Sequence, residues 1–79
     1  MLVRFYAVAR EIAGADEMRL EVTSLPQLSA QLGQRFGERM GRLVAAATFL
    51  HDGSRHRAQD VLPLGADDVV DLLPPFAGG

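Results

Sequence analysis

The chain has 79 residues, a formal net charge of −2, 48% hydrophobic residues and no cysteine. That length suits one domain with one core, near the lower end of what folds unaided, and the lack of cysteine excludes disulfide scaffolds, thiolate metal sites and cysteine nucleophiles while suiting a reducing cytoplasm. The eight basic residues are all arginine and form no stripe of the kind a nucleic acid needs, and no stretch nears the roughly 20 apolar residues that span a membrane, so neither is an expected partner.

Met1 to Ala7 is rich in apolar, aromatic and β-branched types, with Val3 and Phe5 on one face and Arg4 and Tyr6 on the other. This predicts a first strand, with no secretion signal before it. Ala7 to Ala13 carries good helix formers ahead of Gly14, which predicts a helical turn or two that the glycine stops. From Glu17 to Thr23 the pattern alternates, with Met18, Leu20 and Val22 inward, and predicts a strand with one wet face paired to the first. Ser24-Leu25-Pro26-Gln27 fits a capping box. A helix follows, with Leu25, Leu28, Leu32 and Phe36 as its buried stripe and Gly37 as its stop. Gly33, Gly37 and Gly41 are read as breaks before a second short helix over Glu38 to Val44. Arg35, Arg39 and Arg42 read as a solvated helical face. Ala46 to His51 predicts a strand, Asp52-Gly53 a two-residue hairpin turn, and Ser54 to Arg57 its partner strand. Gly65 to Asp68 forms another turn, and Val69 to Leu73 the last strand, with Val70 and Leu72 inward.

The order strand, strand, helix, strand, strand, strand predicts an α+β domain with a mixed sheet packed on a helix. With its last strand running into a glycine tail, the order resembles the ubiquitin-like β-grasp. In that fold the first and last strands lie parallel at the sheet centre, and the intervening helix supplies the crossover a parallel pair requires. The expected division is a β-grasp body over 1–73 and an extended, flexible tail over 74–79.

The tail, Pro74-Pro75-Phe76-Ala77-Gly78-Gly79, is the main functional candidate. Two prolines favour an extended exit, and two glycines without Cβ atoms fit a channel only as wide as the backbone. Five extended steps carry the end about 15 Å beyond Pro74, far enough to enter another protein's active site. A terminal carboxylate, with its reference pKa of about 3.3–3.7, is ionised at neutral pH and resists nucleophiles. It therefore needs activation, for which an acyl-adenylate is the usual route, with ATP bound by a partner.

Nothing else in the chain supplies catalytic machinery. His51 and His56 flank a turn with Asp52, but no third ligand at a sensible spacing completes a metal set. Asp67, Asp68 and Asp71 lack the donor spacing of a calcium loop. No serine lies in a nucleophile elbow and no glycine-rich loop matches a phosphate cradle. No cofactor or metal is expected on this chain. Without lysine, the chain offers only its α-amine to an isopeptide bond.

Phe5-Tyr6-Ala7-Val8-Ala9-Arg10-Glu11-Ile12-Ala13-Gly14, Leu64-Gly65-Ala66-Asp67-Asp68-Val69 and the Leu73 to Gly79 ending together resemble the small, sulfur-carrying subunits of molybdopterin synthase, along the whole chain. The resemblance implies that an E1-like adenylyltransferase with ATP and magnesium adenylates Gly79, and that sulfur from a persulfide donor replaces AMP to leave a thiocarboxylate. It further implies that the tail enters the large catalytic subunit and gives its sulfur to cyclic pyranopterin monophosphate in molybdenum cofactor biosynthesis. Gly78, Ala77, Phe76, Pro75 and Pro74 would then line the partner's channel, with Phe76 anchoring the arm. Leu73 and Tyr6 would lie on the docking face, where Arg57 replaces a residue often apolar in the family. A carrier for thiazole or cysteine synthesis, a protein modifier and a pure interaction module remain alternatives.

Overall fold

In the computed structural model, which describes residues 1–75, the chain folds as β1 (Leu2–Phe5), α1 (Val8–Ala13), β2 (Glu17–Arg19), α2 (Leu25–Phe36), α3 (Glu38–Ala46), β3 (Thr48–His51), β4 (Ser54–His56) and β5 (Val69–Leu73). The five strands form one mixed sheet in the order β2-β1-β5-β3-β4. β1 and β5 run parallel at its centre, and all other pairs are antiparallel. This is the expected ubiquitin-like β-grasp.

Alternation sorts the strands into two faces. Val3, Phe5, Phe49, Val70 and Leu72 point inward and are at most 2% exposed, and they meet Leu25, Leu28, Leu32, Met40 and Val44 from the helices. Phe36, expected in the core stripe, is only half-buried and meets Phe5 edge to face at 6.1 Å.

The strands are shorter at their ends than the pattern predicts. β2 stops at Arg19, yet Leu20 and Val22 stay buried. Leu20 still exchanges hydrogen bonds with Met1, after which the segment turns toward α2 and Thr23 donates to Gln27 Oε1. β3 begins at Thr48 because α3 runs through Ala46. β4 ends at His56, and the Arg57 N–H is donated to Asp60.

Ser24 caps α2 by accepting the Gln27 N–H at 3.2 Å. The return half of the box differs from the expected one: Gln27 reaches past Ser24 and accepts from both the backbone and hydroxyl of Thr23. Of the three glycines read as breaks, only Gly37 is one, at φ 94° between the helices. Gly33 and Gly41 lie inside α2 and α3, and Gly33 faces the backbone of Gly41, so that a Cβ on Gly33 would stand 3.7 Å from the Gly41 Cα while one on Gly41 would point into open space. They let the two helices pack closely.

Candidate functional site

β5 is hydrogen-bonded along both edges, to β1 in the register Leu2↔Val69 through Phe5↔Leu72 and to β3 from Thr48↔Leu73 to Leu50↔Asp71. Its C-terminal end is therefore anchored by two neighbours. The ladder ends at Leu73 because Pro74 has no N–H to donate. Pro74 is fully buried, and Pro75 is exposed. The structured body thus reaches through Pro74, and the exit begins at Pro75. Pro75 lines a shallow groove between α1 and α3 with Val8, Ile12, Leu43 and Ala46 as its apolar wall and Arg39 and Arg42 at its rim.

Two of the expected partner-binding residues flank the end of this central pair. Beyond the inward Phe5↔Leu72 pair, Leu73 ends β5 with the outward parity of Asp71, and Tyr6 follows β1 directly. Tyr6 is 39% exposed, and Leu73 is half-buried. Phe76, Ala77, Gly78 and Gly79 lie outside the described residues.

The same face carries a pair that the sequence reading missed. Arg4 and Asp71 are partners in the parallel register, and the guanidinium donates to both carboxylate oxygens, from Nε at 2.6 Å and from Nη2 at 3.0 Å. The bidentate fork holds Arg4 above its ordinary pKa range, first by the hydrogen bond and then by the charge of Asp71. A fixed polar centre is thus flanked by the apolar side chains of Leu2, Tyr6, Val69 and Leu73, which share its strand parity. Once β1 is placed parallel to β5, that parity is the signal that would have found the pair.

At the other end of β5 the fold supplies a donor that the sequence reading did not find. His51 Nε2 lies 3.1 Å from Asp68 Oδ1 and 3.6 Å from Asp52 Oδ2. His56 instead points its Nδ1 toward Asp60, at 3.8 Å. The Asp68 carboxyl is held below the usual carboxylate range, chiefly by the Gly65 N–H it accepts at 2.6 Å and next by its bond with His51.

No helix among the described residues is long and apolar enough to cross a membrane. No family model matches the chain, and no curated protein matches it either. Solved structures share its fold, two of them as follows. A chain from Pyrococcus furiosus assigned as molybdopterin converting factor, subunit 1, superposes with a TM-score of 0.76 at 24% identity, covering 94% of each chain. The solution structure of the Haloferax volcanii HVO 2177 protein superposes with a TM-score of 0.73 at 23% identity, over 99% of this chain and 84% of that one.

Proposed function

We propose that this chain is a ubiquitin-like sulfur carrier acting in molybdopterin synthesis as the small subunit of the synthase. The observation that carries the reading is the placement of β5, a central strand anchored on both edges that leads through buried Pro74 to exposed Pro75, ahead of Gly78 and Gly79. The likeness of its body to the Pyrococcus chain supports the choice of pathway.

In this reading the Gly79 carboxylate attacks the α-phosphorus of ATP on an E1-like adenylyltransferase, releasing pyrophosphate. The terminal sulfur of a persulfide donor then displaces AMP from the acyl carbon. A thiol cleaves the sulfur–sulfur bond of that adduct, leaving a thiocarboxylate on Gly79 and a disulfide on the donor. The arm enters the large subunit and gives its sulfur to cyclic pyranopterin monophosphate; two such transfers build a dithiolene. This chain contributes positioning. Gly78 and Gly79 pass where a Cβ would jam, Pro75, Phe76 and Ala77 span the distance, and Tyr6 and Leu73 meet the partner.

Co-expression with an E1-like enzyme should yield a protein heavier by the exchange of one oxygen for sulfur, read by intact mass. Its absence in the presence of a competent activating enzyme sinks the carrier reading. Adding the loaded chain to large subunit and precursor should form molybdopterin; a loaded chain that instead serves only thiazole or cysteine synthesis moves the protein to a sister pathway. Deleting Gly79 should abolish transfer while docking and fold persist.

A further inference from the structure

The turn between β3 and β4 and the start of β5 together bring one imidazole and two carboxylates to a common point. We propose that His51, Asp52 and Asp68 form a binding site for a borderline divalent metal ion of the zinc class, which clamps the hairpin turn to the entry of β5.

The ligand atoms of the three residues all lie within 4.8 Å of one another. Zinc bonds to nitrogen and carboxylate oxygen measure about 2.0–2.2 Å, which sets the ligand–ligand edges of a tetrahedron at roughly 3.4 Å. The two separations from His51 Nε2, 3.1 Å and 3.6 Å, bracket that edge. The third edge, between the Asp52 and Asp68 oxygens, is at most 4.8 Å, so the exposed Asp52 carboxylate needs to move in by no more than about 1.4 Å for the three donors to surround one ion.

Electrostatics point the same way. The Asp68 carboxylate oxygen lies within hydrogen-bond reach of His51 Nε2 at 3.1 Å, and the Asp52 oxygen at 3.6 Å lies just beyond it. Two carboxylates thus converge on one ring nitrogen, an arrangement of donors that favours a cation between them. Two of the ligands are also held in place. The His51 side chain is only 14% exposed, and Asp68 is held by the Gly65 N–H through Oδ2, which leaves Oδ1 directed at the ring. Asp52, 86% exposed, sits in the hairpin turn at φ 49° and closes the set from the solvent side, where water completes the coordination.

The donor set selects the metal class. Imidazole nitrogen with carboxylate oxygen suits zinc and its first-row neighbours, whereas calcium wants six to eight oxygens and finds two carboxylates here. The site lies at the opposite end of β5 from Pro75, since His51 follows the Leu50↔Asp71 pair and Asp68 precedes Val69. It is independent of the sulfur-carrier reading, and its loss should leave tail chemistry intact.

The test uses the untagged chain of residues 1–79, stripped with chelator and titrated with zinc chloride by calorimetry. One saturable site per chain is expected, and zinc at ten times its dissociation constant should raise the thermal midpoint by about 6–11 °C. Asp52→Asn removes the charge of an exposed ligand while keeping a residue that tolerates the left-handed turn at φ 49°, and should weaken zinc binding about tenfold or more with little change in the metal-free midpoint. Zinc should shift the imidazole nitrogen resonances of His51 and leave those of His56 in place. No saturable binding up to millimolar zinc, binding undiminished in Asp52→Asn, calcium binding as tightly as zinc, or a response at His56 in place of His51 would each overturn the site.

Discussion

Ala7 stands at φ 52° and ψ −129°, directly after Tyr6 at the turn from β1 into α1. A residue with a Cβ is strained there, by about 1–3 kcal/mol, and glycine is not. Ala7→Gly should therefore raise stability by up to about 2.5 kcal/mol after its larger unfolded-state entropy is subtracted, measured by urea denaturation; a loss of stability would mean the turn carries no strain. Asp68 makes a second residue-scale prediction. Because its folded pKa lies below the ordinary value, its contribution to stability is present above the usual carboxylate range and is lost as pH falls through the lowered value. With chelator present, the thermal midpoint of Asp68→Asn should lie below that of the parent near pH 6, and the gap should close as the solution is acidified below about pH 4. A gap independent of pH would assign the effect to packing.

At the scale of elements, the meeting of α2 and α3 depends on glycines at two positions with different duties. Gly33 is helical, and a Cβ there would make only ordinary contact with the Gly41 backbone at 3.7 Å. Gly33→Ala should accordingly be neutral or stabilise by up to about 1 kcal/mol through helix propensity. Gly33→Leu should cost about 1–3 kcal/mol, because further atoms must push apart two helix backbones. Equal effects of the two substitutions would show that the helices are not in close contact there. Gly37 differs because its φ of 94° joins the two helices, a conformation in which any other residue is strained.

On the scale of the whole molecule, a parallel central pair gives the exit at Pro75 its firm base and gives the outer sheet face its composition. Arg4 and Asp71 arrive side by side there only because β1 and β5 run in the same direction, and Tyr6 and Leu73 directly follow the last pair of that register. If this face docks the large subunit, Tyr6→Asp should weaken that complex by about tenfold or more while the circular dichroism spectrum and thermal midpoint stay close to the parent's. Unchanged affinity, measured by calorimetry, would remove the outer face from the interface.

How far the sequence reaches follows from the range of each interaction. Hydrophobic periodicity, caps and turn residues act within a few positions, so the strands, the helix starting at Ser24, the stop at Gly37, the Asp52-Gly53 turn and the inward set Val3, Phe5, Val70 and Leu72 were all legible in the residues. The prolines that end β5 were equally visible, since proline acts through its own backbone, but that Pro74 packs into the body and Pro75 does not was decided by tertiary packing. Strand ends were less so, because hydrogen-bond partners decide where a ladder stops, as at Arg19 and His56. What only the tertiary structure decided are pairings across the chain: Arg4 with Asp71, 67 residues apart, and His51 with Asp68, 17 apart. No local pattern encodes such pairs, because they exist only after the helical crossover has set β1 beside β5 and the hairpin has set β3 along its other edge. The same physics separates the two glycines within the helices from the one between them: spacing made the three look alike, and packing of α2 on α3 made two of them contact points and one a hinge of the backbone.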